Sequence, residues 1–129
     1  MIKSGLSVGT ILCIDDQTYS LRSRIEWLRA RKYRVIVVAS QQAALETLIT
    51  NPIAAAVLDC HMTDAFLLAR LLRSIRPDLP IVILASYCGV PCHWRGLVTA
   101  CLGRGEPPTA LQHTLQKILK SEALGQSAA

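Results

Sequence analysis

Two short apolar runs in this chain stop abruptly on aspartate, and that repeated ending constrains the fold more than any other feature. "TILCI" (Thr10 to Ile14) is followed at once by Asp15 and Asp16, and "AAAVLD" (Ala54 to Asp59) closes on Asp59. Short continuous apolar runs bounded by polar residues read as strands buried on both faces. Three more runs have the same character: "YRVIVVA" (Tyr33 to Ala39), "IVILA" (Ile81 to Ala85) and the weaker "TACL" (Thr99 to Leu102).

Helical periods fill the intervals. Leu21, Ile25 and Leu28 fall on one helical face. Leu45, Leu48 and Ile49 mark a second helix that should stop near Asn51-Pro52, where proline cannot continue it. Leu67, Leu68, Leu71, Leu72 and Ile75 predict a third, with Asp64 as its N-cap. After the turn "RPDLP", the stretch "SYCGVPCHWRGLV" contains Gly89, Pro91 and Gly96, all poor in a helix interior. It leaves room for only a short fourth helix. Pro107-Pro108 opens a last helix that buries Leu111, Leu115, Ile118 and Leu119.

Strands alternating with helices imply a doubly wound α/β fold: a five-stranded parallel sheet covered on both faces, with a shortened fourth helix. At 129 residues and 51% apolar content the chain suits one domain, expected over 8–122, with a flexible tail over 123–129. No apolar stretch approaches the length that spans a bilayer, and no signal peptide is evident, so membrane insertion is not expected and a cytoplasmic location is the default.

The net charge is +5, and its densest part is Arg22, Arg24, Arg29, Arg31, Lys32 and Arg34. No aromatics alternate with these cations, so they read as a solvated helix face, without direct nucleic-acid binding. Five cysteines, an odd number, argue against a disulfide framework. Cys13 and Cys101 read as small core residues. Cys88-x3-Cys92-His93 lacks the further ligands of a zinc site.

In parallel α/β sheets the working site lies beyond the carboxyl ends of the strands. If the first and third strands are neighbours, Asp15, Asp16 and Asp59 converge there. Like charges so close need neutralising. Mg2+ is the natural ion, because it binds carboxylate oxygens and keeps several waters. An aspartate can also act as a nucleophile toward phosphate.

Between them, "ILCIDDQTYSLRSRIEWLRARKYRVIVVASQQAALETL" and "AAVLDCHMTDAFLLARLLRSIRPDLPIVILAS" resemble the receiver domain of two-component response regulators (CheY-like), and the likeness runs from about Thr10 to Leu119. The resemblance implies the flavodoxin-like strand order 2-1-3-4-5. It also implies that Asp59 accepts a phosphoryl group, and that Asp15, Asp16, Asp59 and the His61 backbone carbonyl hold Mg2+. The implied partners are a histidine kinase or phosphotransfer protein and a downstream protein target, with a homodimer also compatible.

Several positions depart from the family pattern. Ala85 stands where receivers carry a hydroxyl, with Ser86 one place later able to substitute if the strand end shifts. Arg104 replaces the lysine after the fifth strand, an exchange that keeps charge but alters geometry. Cys101 replaces the aromatic switch residue. The loop after the third strand is shortened. Trp94, if exposed, would anchor an interface.

These observations lead to a single-domain response regulator in a phosphorelay. It would be a phosphoprotein that signals by protein contact and is not a conventional enzyme. The alternative is a degenerate receiver acting as a phosphorylation-independent interaction module.

Overall fold

A computed structural model of the chain describes residues 9–16, 21–85, 94 and 96–128, with side chains as far as 120. Its elements are β1 (Thr10–Ile14), α1 (Arg22–Ala30), β2 (Arg34–Val38), α2 (Gln41–Thr50), β3 (Ala55–Asp59), α3 (Ala65–Ile75), β4 (Ile81–Ala85), β5 (Ala100–Gly103) and α4 (Pro108–Ala128). All strand pairs are parallel, in the order β2-β1-β3-β4-β5. The doubly wound α/β expectation and its strand order therefore hold.

The strand sequences explain their places. β3 and β4 are buried throughout, and β1 in all but its first residue. A central strand has neighbours on both edges and helices on both faces, so it can tolerate apolar side chains in either direction. The edge strands β2 and β5 are only partly buried. One core, under α2 and α3, gathers Leu12, Ile14, Leu58, Leu68, Leu72 and Ile83. The other, under α1 and α4, gathers Ile11, Cys13, Leu28, Val57, Leu84 and Leu115. Alternate strand residues feed the two layers, as the pleat requires.

The helix ends show where local chemistry acts. Ser40 caps α2 by accepting from the Ala43 amide at 3.1 Å. Asp64 does sit at the N-cap of α3, but it is in the left-handed region (φ 58°) and its side chain makes no capping bond. At the end of α1, the amide of Lys32 donates to the Arg29 carbonyl and that of Tyr33 to the Leu28 carbonyl. That pattern puts Lys32 at φ 77°, a place usually given to glycine.

Three expected core residues are not in the core. Ile49, Leu67 and Ile75 are exposed. Their helices bury Leu48, Leu68 and Leu72 as expected, together with Ala44, Ala65 and Ala69. Small alanines let these helices sit close to the sheet, and the neighbouring larger residues are turned outward. Trp94 is buried, with its ring edge-on to Phe66 of α3 at 5.3 Å, so it offers no exposed anchor. Cys13 is buried as expected, and the burial pushes its thiol up to about 12. Cys101 is only half-buried, because β5 is an edge strand. The short fourth helix, Ser86, and the Cys88, Cys92 and His93 group lie outside the described residues.

Candidate functional site

The chain leaves β1 toward β2 on one side of the sheet and returns to β3 on the other. That reversal opens a crevice at the carboxyl ends of β1 and β3. Ile14 and Leu58 are register partners, so Asp15 and Asp59 follow side by side. Asp15 continues the ladder, its amide donating to the Val38 carbonyl at 3.1 Å. Both side chains are buried, with Asp15 2% and Asp59 1% exposed. Asp16 is exposed.

Asp59 has two differently held oxygens. Its Oδ1 accepts a hydrogen bond from the His61 amide at 2.8 Å. Its Oδ2 lies 2.9 Å from an Arg104 guanidinium nitrogen. That contact is an ion pair without hydrogen-bond alignment, so buried Oδ2 has a cation beside it while its lone pairs stay open. Burial pushes the Asp59 carboxyl above its ordinary range. The His61 amide lowers it, the Asp15 charge raises it further and Arg104 lowers it.

Arg104 comes from the turn after β5. Its own amide donates to the Ala85 carbonyl at 2.7 Å, which extends the β4–β5 ladder by one bond. Ala85 thus stands at the carboxyl end of β4, its carbonyl meeting that turn, and carries a methyl group and no hydroxyl. His61 is exposed, in the turn where the Met62 amide closes back onto the Asp59 carbonyl at 3.1 Å. The Asp59 carboxylate, Cys60 thiol and His61 imidazole each bring a donor atom within 4.8 Å of the others, a grouping able to hold an ion. Among the described residues that grouping includes neither Asp15 nor Asp16.

The structure thus brings Asp15, Asp59 and Arg104 together, with Asp16 and His61 in the flanking turns. The sequence pattern alone gives neither Arg24 nor Cys60 a place at this site. Its neighbours in sequence make Arg24 read as part of a solvated helix face, yet it is 9% exposed and its guanidinium reaches the β5–α4 turn. A signal was available. Arg24 falls between Leu21, Ile25 and Leu28 on the apolar helical face, where an unpaired cation would be costly.

Neither a family model nor a curated protein sequence matches the chain. Solved structures do. A CheY-like response regulator receiver domain protein from Methanospirillum hungatei superposes with a TM-score of 0.83 at 19% identity, over 92% of this chain and 99% of that one. Chemotaxis response regulator CheY4 of Vibrio cholerae gives 0.78 at 20% identity, over 87% and 99%. The response regulator TrrA of Thermotoga maritima, in complex with Mg2+ and a beryllium fluoride group, gives 0.73 at 19% identity, over 86% and 99%. The chain has the fold of CheY-like receiver domains.

Proposed function

We propose that this protein is a response-regulator receiver domain that accepts a phosphoryl group on Asp59 and signals by protein contact. The observation that carries this reading is the asymmetric hold on Asp59. The backbone fixes Oδ1, while buried Oδ2 faces a cation with its lone pairs open, beside a second buried carboxylate.

The residues fit Mg2+. Asp15 and Asp59 are buried side by side, and the Asp15 charge raises the proton affinity of Asp59, so a hard divalent cation beside the pair would relieve their repulsion. Asp15, Asp16, Asp59 and the His61 carbonyl would hold it. When bound, Mg2+ neutralises oxygens of the transferring phosphoryl group.

The chain's own residues do the rest. The His61 amide orients the carboxylate so that Oδ2 is the nucleophile. Oδ2 forms the new bond to phosphorus as the bond from phosphorus to the donor's histidine nitrogen breaks. The donor is a histidine kinase or phosphotransfer protein. Arg104 releases Oδ2 and pairs with a phosphoryl oxygen, which conserves its charge contact. Ser86 is the hydroxyl nearest in sequence to the end of β4. With Ala85 at that end, the aspartyl phosphate loses one hydrogen bond that a hydroxyl would give.

A neighbour with this fold was solved with Mg2+ and beryllium fluoride, which supports the same ligands here. Among the described residues no helix is long and apolar enough to cross a membrane, which is compatible with cytoplasmic work.

The test is incubation with Mg2+ and acetyl phosphate, read by intact mass. The expected result is a gain of one phosphoryl group that disappears in Asp59→Ala and without Mg2+. An unmodified parent protein that also ignores fluoroberyllate would overturn the reading and leave a phosphorylation-independent interaction module.

A further inference from the structure

Arg24 is a cation on the buried face of α1, and two of its hydrogen bonds go to one turn. Its Nη2 donates to the carbonyl of Arg104 and, at 3.1 Å, to the carbonyl of Glu106. These carbonyls flank Gly105, whose surroundings would leave an added Cβ in open space. Packing therefore does not fix the middle of the turn, and hydrogen bonds do. The Glu106 carboxylate accepts from the Gly103 amide at 2.8 Å, and the Glu106 amide donates to the Gly103 carbonyl at 3.1 Å. Arg104 is thus held at its amide by β4, through Ala85, and at its carbonyl by α1, through Arg24. With both ends of the residue fixed, its side chain starts from a defined point and arrives 2.9 Å from Asp59 Oδ2.

The arrangement carries an electrostatic cost. Burial of the Arg24 guanidinium lowers its proton affinity and repulsion from Arg104 lowers it further, while Asp59 and Glu106 oppose both effects. An apolar residue between Leu21 and Ile25 would avoid that cost and pack as well. The cation is worth keeping if the turn must be aimed.

We infer that Arg24 is a positioning residue for the phosphoryl site, reaching from α1 to hold the β5–α4 turn so that the Arg104 guanidinium bears on Asp59. The inference rests on the phosphoacceptor reading for its consequence, though not for its geometry. It places the first turns of α1 in mechanical contact with the charge that meets the incoming phosphoryl group.

A double-mutant cycle tests it, with fluoroberyllate binding in saturating Mg2+ as the probe. Arg24→Met, which keeps length and burial, should weaken binding about tenfold, the order expected for one misplaced charged contact. Arg24→Lys, which keeps the charge and can still reach one carbonyl, should recover part of the loss. In an Arg104→Ala background, Arg24→Met should cost nothing further, because its effect passes through Arg104. Equal losses in both backgrounds would overturn the inference and leave Arg24 as a general support of the fold.

A second measurement needs no phosphoryl chemistry. In the ligand-free protein, the Arg104 side-chain Nε–H resonance should shift toward that of a free guanidinium in Arg24→Met. An unmoved resonance would also overturn the inference. If the parent binds no fluoroberyllate but the resonance moves as expected, the phosphoacceptor reading fails and the positioning role stands.

Discussion

Asp59 carries a stability cost that follows from its position. Its carboxyl is 1% exposed, and burial and Asp15 outweigh the help of the His61 amide and Arg104. A folded-state proton affinity above the ordinary value of 3.8 means that the folded chain binds more protons than the unfolded chain between the two. Stability must then fall as pH rises from 3.8 through the raised folded value. Asp59→Asn removes the charge and keeps the shape, and Arg104, partly exposed, can take up water in place of its partner. In EDTA, the variant should be more stable than the parent at neutral pH. That gap should close as pH drops through the folded value, below which Asp59 is protonated too. Urea melts across that range check it; a gap of constant size would show that the charge is not its cause.

At the scale of elements, two helices make opposite points about pattern and geometry. The end of α1 adopts a glycine-type turn with Lys32 at φ 77°. An L-residue there is strained, so Lys32→Gly should stabilise the domain by about 1 kcal/mol, measured by thermal or urea unfolding. In α3, five apolar residues recur at helical spacing, but an α-helix turns only part of its circumference to the sheet. Leu72 is fully buried, whereas Leu67 is 45% exposed. Leu72→Ala should therefore cost roughly 2–5 kcal/mol by leaving a cavity, and Leu67→Ala under about 1 kcal/mol. Similar losses from both would mean that α3 is rotated about its axis from the orientation described. Arg24 is the converse case. Its place on the apolar stripe of α1 was visible, but its partners lie about eighty residues away in sequence, at Arg104 and Glu106.

Over the whole molecule, the doubly wound sheet concentrates negative charge at one end while the net charge is +5. Asp15, Asp16 and Asp59 all follow strand ends at the same crevice. On the proposed reading, Mg2+ binds the folded chain and not the unfolded one. At a hundredfold excess over its Kd it should then raise global stability by about 2.7 kcal/mol, a gain that EDTA reverses and Asp59→Ala reduces. Calorimetry with and without the ion checks this, and an unchanged melting temperature would count against Mg2+ at this end of the sheet. The sequence by itself determined the alternation of strands and helices, the burial of β1, β3 and β4, and the ends on which the acids lie. These depend on periodicities of two and 3.6 residues and on where apolar runs stop, which are local properties. The tertiary structure decided which helical residues face the sheet, that Trp94 is buried against Phe66, and that Asp59 shares its charge with Arg104 under the reach of Arg24. Those outcomes depend on helix rotation and on contacts between distant segments, and only closure of the sheet brings such segments within bonding distance.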